Sequence, residues 1–213
     1  MIKTILFDLD GTLLNSIDDI TDSLNHVLRK KGYKEQTTER VKTLLGHGSH
    51  QLIKSMGVDD KDLEEMYRSY LDKYSQNLVK RSRLYLGLFD ILKALKEKGY
   101  KLGIVTNKDN SFVKYIERIL MPGIFDFTIG STNEEERKPS PVMIDMAIKY
   151  LGANKTETVY VGDSEVDAET ARNAGIRSIG VAWGYRPMDL LERSGFDYLI
   201  TNPEMLLSIV GYR

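Results

Sequence analysis

The chain has 213 residues, enough for one large hydrophobic core or for a core that carries a second, smaller inserted domain. Its 30 lysines and arginines against 31 aspartates and glutamates give a formal charge of -1, which leaves no basic surplus to bind a nucleic-acid backbone. The absence of cysteine excludes disulfides, thiolate metal ligands and thiol nucleophiles, and favours a cytoplasmic protein.

The sequence also bounds the partners that we expect. No apolar run approaches the roughly 18 residues of a membrane-spanning helix. Strand-like sequence begins at Ile2, which leaves no space for a signal peptide. We therefore expect neither a membrane nor a nucleic acid as partner, and a chain that acts as a monomer or a homodimer.

The first predicted strand, "TILFDL", runs directly into a pair of aspartates. Asp8 and Asp10 are two residues apart, so on an extended strand their side chains point to the same face. Like charges held this close repel unless a cation or a shared proton offsets them. The pair therefore predicts a metal site at the end of this strand.

The next stretch, from residue 15 to residue 83, contains no convincing strand pattern. Amphipathic helical periodicity is present in "IDDITDSLNHVLRKKG", "TTERVKTLLG", "SHQLIKSMG" and "DKDLEEMYRSYLDKYSQNLV". We predict that residues 15–83 form a helical domain inserted after the first strand. The core domain would then comprise residues 1–14 and 84–213.

From residue 84 onward, strand patterns alternate with helical ones. The strand-like runs are "KLGIVTN", "FDFTIGS", "TVYVGDS" and "SIGVAWG", with a weaker "FDYLI" near the end. The helical stretches "SPVMIDMAIKYLG" and "EVDAETARNAG" each close in a glycine suited to a left-handed helix cap. Alternating strands and helices predict an α/β fold with a parallel sheet.

Polar residues follow the ends of the predicted strands, where ligands bind in open α/β sheets. They are Asp8, Asp10, Thr106, Asn107, Lys138, Asp163 and Asp167. Carboxylates without a histidine or cysteine among them suit a hard ion that takes oxygen ligands, and near phosphate that ion is Mg²⁺. The candidate metal ligands are Asp8, Asp10, Asp163 and Asp167.

The same residues can bind and transfer a phosphoryl group. Lys138 would neutralise phosphate oxygens, and Thr106 and Asn107 complete the candidate phosphate-binding set. A carboxylate beside phosphorus can act as a nucleophile, while a second acid protonates the leaving oxygen and later activates water. Asp8 and Asp10 fit these two catalytic roles.

The motifs "DLDGTL", "VTN", "KPSP" and "GDSEVD", in this order, resemble the four motifs of the haloacid dehalogenase-like hydrolases. The resemblance spans essentially the whole chain and implies a Rossmann-like core with an α-helical cap inserted after the first strand. It assigns Asp8 as nucleophile, Asp10 as acid and base, and Thr106 and Lys138 to phosphate. It also implies that Asp163 binds Mg²⁺, and that Asp167 either binds or orients the ion.

Two further stretches resemble the phosphoglycolate phosphatase-like subgroup of this family. "LLGHGSHQLI" resembles its glycine-containing cap loop, which makes Gly46 and His47 candidates for substrate contact. "GVAWGYR" resembles its "GVxWG" stretch, in which we expect Trp183 to pack in the core. The chain departs from the subgroup's pattern at Leu86 and at Arg186.

These observations favour a Mg²⁺-dependent phosphatase that acts on a small phosphomonoester through an aspartyl phosphate, with phosphoglycolate as the best candidate. Two alternatives share the same motifs: an inorganic pyrophosphatase of the same subgroup, and a phosphotransferase resembling β-phosphoglucomutase. A dehalogenase is disfavoured, because its reaction has no leaving oxygen for Asp10 to protonate. A binding protein with an inactive site is disfavoured because every acid needed for turnover is present.

Overall fold

The computed structural model describes residues 1–212, and within them it places eight strands in two sheets. In chain order these are β1 (Thr4–Phe7), β2 (Leu14–Asn15), β3 (Arg83–Leu84), β4 (Lys101–Asp109), β5 (Phe127–Ser131), β6 (Thr158–Gly162), β7 (Arg177–Val181) and β8 (Tyr198–Ile200). Six of them form the main sheet in the order β5-β4-β1-β6-β7-β8, and every neighbouring pair is parallel. The predicted parallel α/β sheet is confirmed.

Strand β1 lies at the centre of this sheet and is buried on both faces. All four of its residues are buried, which explains why its sequence is a nearly continuous apolar run and not an alternating one. Ile5 and Phe7 pack in the core on one face, and Leu6 packs in a second core on the other. The chain winds from β1 to β4 and β5, then returns to β6 on the opposite side of β1. Such a reversal opens a ligand site at the carboxyl edge of the strands.

Ten α-helices accompany the strands in the described residues. They are α1 (Ile17–Lys30), α2 (Thr38–Lys42), α3 (Ser49–Lys54), α4 (Asp60–Ser75), α5 (Leu88–Glu97), α6 (Asn110–Leu120), α7 (Val142–Leu151), α8 (Glu165–Ala174), α9 (Met188–Ser194) and α10 (Met205–Val210). As predicted, α7 and α8 end at glycines in the left-handed conformation, Gly152 with φ 56° and Gly175 with φ 68°. Within residues 1–212, no helix combines the length and the apolar character that crossing a membrane requires.

The helices α1–α4 lie between β2 and β3, and we call them together the insert. The chain leaves the core through β2 and returns through β3, and these two short strands pair antiparallel. The buried carboxylate of Asp19 on α1 accepts hydrogen bonds from the backbone N–H of Arg81 at 2.9 Å and of Ser82 at 2.8 Å. The outgoing and returning segments are therefore held side by side.

Candidate active site

Three acidic side chains meet at the carboxyl edge of the main sheet. Asp8 directly follows β1, Asp163 follows β6, and Asp167 lies in the first turn of α8. All three are buried, and each offers a carboxylate oxygen within 4.8 Å of the others. The structure therefore brings together three of the four predicted metal ligands.

One ammonium group faces this acidic cluster. The Nζ of Lys138 lies 2.8 Å from Oδ1 of Asp8 and 2.7 Å from Oδ1 of Asp167. Although the contact with Asp8 has an ion-pair distance, its geometry leaves that buried Oδ1 without a hydrogen bond from the described residues. Lys138 thus supplies one positive charge to three carboxylates.

The shortage of positive charge is reflected in raised pKa values for two carboxyl groups of the cluster. Burial, together with repulsion from Asp167, raises the pKa of Asp8 to about 6, against the lowering effect of Lys138. Burial, Asp167 and Asp8 together raise the pKa of Asp163 well above its ordinary value. A cation bound among these oxygens would offset both effects, so the residues present fit a hard divalent ion.

Close packing of backbone surrounds the Asp163 carboxylate. Its Oδ1 accepts a hydrogen bond from the Thr12 hydroxyl at 3.1 Å, and its Oδ2 accepts one from the backbone N–H of Tyr185 at 2.7 Å. A Cβ on Gly11, where φ is +90°, would lie 2.3 Å from Oδ2, and a Cβ on Gly184 would lie 2.3 Å from the Cβ of Asp163. Only glycine leaves room for this carboxylate at both positions.

Asp167 is held by hydrogen bonds through both of its oxygens. Oδ2 accepts hydrogen bonds from the backbone N–H of Asp163 and from the N–H and hydroxyl of Ser164, at 3.1, 3.0 and 2.7 Å. Oδ1 accepts one from Lys138 at 2.7 Å and a longer one from the Tyr160 hydroxyl at 3.3 Å. This arrangement favours the orienting role over direct metal binding.

The predicted phosphate-binding residues Thr106, Asn107 and Lys138 line one cavity together with Asp8. Within this group, the side-chain amide of Asn107 contacts backbone. Its Oδ1 accepts a hydrogen bond from the N–H of Lys138 at 2.7 Å, while its Nδ2 donates to the carbonyls of Lys138 at 3.0 Å and Gly46 at 2.7 Å. Asn107 therefore fixes the position of Lys138 and of the loop that follows α2.

The fourth predicted metal ligand, Asp10, lies apart from the acidic cluster. Its carboxylate oxygens are 2.9 and 2.8 Å from the Nζ of Lys108, and its Oδ1 accepts a hydrogen bond from the Ser16 hydroxyl at 2.5 Å. Lys108 was not among the predicted site residues. Its position directly after "VTN", at the end of a buried strand, was the signal that could have identified it.

The insert forms the wall of the cavity that faces these strand ends. The insert residues that line the cavity include Gly46, Ser49, Tyr70 and Tyr74. The insert is fastened to β4 at Asp109, which accepts hydrogen bonds from the hydroxyls of Ser49 at 2.9 Å and Tyr67 at 3.3 Å. Of the two predicted substrate contacts, Gly46 lines this cavity, whereas His47 is exposed and lines a separate groove beside Glu165.

The segment after β7 contacts the turn after β1 and the insert. The Trp183 indole is half-buried and donates to the carbonyl of Thr12 at 3.0 Å. Arg186 is buried and pairs with Glu165 at 2.8 Å, and it donates to the carbonyls of Lys42 and Leu45, both at 2.7 Å. Helix α2 ends at Lys42, earlier than the periodic pattern predicts, and Arg186 donates a hydrogen bond to the carbonyl of this last residue.

Comparisons with known proteins agree with this geometry. The model of the haloacid dehalogenase-like hydrolase family matches residues 5–181. The chain is 35% identical over 184 residues to a phosphoglycolate phosphatase of Aquifex aeolicus, covering 86% of each chain. It is 34% identical over 214 residues to the pyrophosphatase PpaX of Anoxybacillus flavithermus, covering 99% of this chain and 97% of the other.

A solved structure is similar over nearly the same length. The crystal structure of a predicted phosphoglycolate phosphatase from Haemophilus somnus superposes with a TM-score of 0.89 at 29% identity. The superposition covers 98% of this chain and 97% of the other. The resemblance that the four motifs predict is confirmed.

Proposed function

The chain belongs to the haloacid dehalogenase-like hydrolases and is a phosphatase, as its relatives are, and we propose that it uses Mg²⁺ to hydrolyse a small phosphomonoester. Phosphoglycolate is the first candidate substrate. The observation that carries the proposal is the buried cluster of Asp8, Asp163 and Asp167 around the single ammonium of Lys138. Such a cluster is suited to a cation and a phosphate together.

The metal assignment divides the acidic residues into two groups. Asp8 and Asp163 would hold the ion, because each has a carboxylate oxygen in the cluster and a pKa raised by burial and like charge. Asp167 would orient its neighbours, since its oxygens already accept hydrogen bonds from Ser164 and Lys138. When bound, Mg²⁺ would neutralise phosphate oxygens and so allow the anionic phosphoryl group to approach the Asp8 carboxylate.

The catalytic steps follow from the placement of the two aspartates after β1. The Asp8 carboxylate would attack phosphorus, and the bond to the leaving oxygen would break while Asp10 gives that oxygen a proton. Asp10 would then take a proton from a water molecule that attacks the aspartyl phosphate. Phosphate is released and Asp8 is restored. Lys138 would stabilise the phosphoryl oxygens throughout.

The insert would act as a cap domain over this chemistry. We assign residues 15–83 to the cap and residues 1–14 and 84–213 to the catalytic core, because β2 and β3 pair where the chain passes between the two. Cap closure would exclude water and leave the phosphorylated substrate between the two walls of the cavity. The hydrogen bonds from Ser49 and Tyr67 to Asp109 would hold the closed form.

Pyrophosphate is the second candidate substrate, and a specific observation favours it. The relative named as a pyrophosphatase aligns over 99% of this chain at 34% identity, nearly the identity of the phosphoglycolate phosphatase relative. The acidic cluster and Lys138 would bind the transferred phosphoryl group of either compound in the same way. The two substrates differ in the part that faces the insert.

A phosphate-release assay tests the proposed function. Phosphoglycolate, pyrophosphate and glucose 1-phosphate would each be incubated with the protein in Mg²⁺ or in excess EDTA. We expect Mg²⁺-dependent release from phosphoglycolate. Release from pyrophosphate alone would select the second candidate, and isomerised sugar phosphate without free phosphate would indicate a phosphotransferase. Release that persists in full after chelation would contradict the metal assignment.

A further inference from the structure

Two buried lysines line the cavity, and the proposed chemistry uses only one of them. Lys138 faces the acidic cluster, where the transferred phosphoryl group would bind. Lys108 lies at the end of β4, and its side chain is 5% exposed. A buried ammonium group is strongly unfavourable without an anionic partner. The partner of Lys108 in the protein is Asp10, which would be uncharged while it holds the proton for the leaving oxygen.

The surroundings of Lys108 place it between the core and the insert. Its Nζ contacts both oxygens of Asp10 and lies 2.7 Å from the Tyr74 hydroxyl. The same ammonium is 4.6 Å from the centroid of the Tyr74 ring. Lys108 therefore joins the proposed acid of the core to α4 of the insert.

A second polar group lines the same wall. Tyr70 is buried, and its ring is stacked on Tyr74 with 5.6 Å between centroids. Its side chain lines the cavity, and no residue in the described part of the chain forms a hydrogen bond with its hydroxyl. This hydroxyl is available to donate a hydrogen bond to a bound ligand.

The direction of the leaving group links these two residues to the substrate. Once the phosphoryl group lies between Asp8 and Lys138, the leaving oxygen must face Asp10 to receive its proton. Atoms beyond that oxygen then extend toward Lys108, which contacts Asp10, and toward the wall formed by Tyr70 and Tyr74. A leaving group in this orientation would lie against the Lys108 ammonium.

We propose that Lys108, with the Tyr70 hydroxyl, binds an anionic group carried by the leaving group, and so restricts substrates to phosphoryl compounds whose leaving group is itself an anion. The proposal rests on the proposed function, because it takes the orientation of substrate from Asp8 and Asp10. The anion can be a carboxylate, as in glycolate, or a second phosphate, as in pyrophosphate. A neutral alcohol offers Lys108 no anion to take the place of Asp10 when that residue is protonated.

A matched pair of esters tests this inference directly. 2-Phosphoglycolate and 2-hydroxyethyl phosphate differ only in a carboxylate that replaces a CH₂OH group. A charge-assisted hydrogen bond predicts that kcat/KM for the anionic ester exceeds that for the neutral ester by about 10- to 100-fold. Pyrophosphate against methyl phosphate provides the second arm, which distinguishes a phosphate from a carboxylate as the recognised anion.

Lys108→Met should reduce this preference to within about threefold, mainly by raising KM for the anionic ester. Lys108→Arg should retain part of the preference, because the charge remains, and Tyr70→Phe should lower it less than Lys108→Met does. The control is Lys54→Met, which removes an exposed lysine on α3 and should leave the ratio unchanged. Thermal melting of each variant establishes that it is folded.

Two outcomes would overturn the inference. One is a wild-type enzyme that hydrolyses both esters equally well. The other is a Lys108→Met variant that loses the same factor on both esters, which would mean that Lys108 acts only through Asp10. Calorimetric binding of both esters to Asp8→Asn separates this inference from the proposed function, since it measures selection by Lys108 without turnover. Equal affinity there, combined with Mg²⁺-dependent phosphate release by the wild type, would reject the inference alone.

Discussion

The two walls of the cavity are built from different chemistry. The core wall is lined by the Asp8 carboxylate and the Lys138 ammonium, and the buried carboxylates of Asp163 and Asp167 lie within 4.8 Å of the Asp8 carboxylate. The insert wall carries hydroxyls, aromatic rings and a loop carbonyl, and it meets the core through a few polar contacts such as Ser49 with Asp109. The core wall thus carries the groups of the proposed reaction, whereas the insert wall adds contacts to the rest of the substrate.

The largest effect should come from the core wall. Asp8→Asn should lower phosphate release by more than about a hundredfold, because an amide is a poor nucleophile toward phosphorus. Steady-state phosphate release measures this loss. Asp90→Asn, an exposed position on α5, is the matched control and should keep wild-type activity. An Asp8→Asn variant with activity near wild type would show that Asp8 is not the nucleophile.

An intermediate effect should appear in the response of stability to metal and pH. Without a cation, the pKa of Asp8 in the folded protein is raised to about 6 by burial, above its ordinary value of 3.8. Between about pH 4 and about pH 6, the Asp8 carboxyl group is protonated in the folded state and ionised in the unfolded state. The contribution of Asp8 to the free energy of unfolding therefore falls as the pH rises. Mg²⁺ favours the ionised form and should remove that loss.

The measurement is the melting temperature with Mg²⁺ and with EDTA at several pH values. We expect Mg²⁺ to raise Tm by several degrees above pH 6 and by much less at pH 5. The Asp8→Asn variant serves as the control, since it lacks the titrating group and should show a smaller dependence on pH. A stabilisation by Mg²⁺ that grows as the pH falls would contradict the assignment of this cluster as the metal site.

The smallest effect should come from the contact between the walls. Asp109→Asn weakens the acceptor of two hydrogen bonds from the insert, which are worth about 1 kcal/mol each. We expect KM to rise severalfold while kcat changes less, because the closed form becomes less favourable but the acidic cluster is intact. Asp72→Asn, exposed on α4, is the matched control. A loss in kcat as large as that of Asp8→Asn would show that Asp109 belongs functionally to the core wall.

The difference between the walls also decides what could be predicted from the sequence. Asp8 and Asp163 follow buried strands, and parallel strands present their carboxyl ends at one edge, so local patterns were enough to bring them together. The contacts of Lys108 with Tyr74 and of Arg186 with the carbonyl of Lys42 join segments far apart in the chain. They depend on how the insert lies against the core, which helical periodicity does not specify.

The ends of the helices also could not be predicted from hydrophobic periodicity. The periodic pattern after Asp60 continues to Val79, but α4 ends at Ser75. Hydrophobic periodicity reports which face of a segment is buried, and it continues through turns that no longer have helical hydrogen bonds. The glycine in "GVAWGYR" can be read from the sequence, but the close approach of Gly184 to Asp163 is known only from the structure.

Tyr185 connects the start of the insert to two of the predicted site residues, Asp163 and Asp10. Its backbone N–H holds Asp163, while its hydroxyl accepts a hydrogen bond from the backbone N–H of Ser16, and the Ser16 hydroxyl in turn donates to Asp10. Ser16 lies directly after β2, where the chain enters the insert. In the proposed cap movement, a swing of the insert would displace Asp10 as well as uncover the cavity. Because Asp10 would transfer the protons of both proposed steps, hydrolysis would then proceed only while the insert is closed over the core.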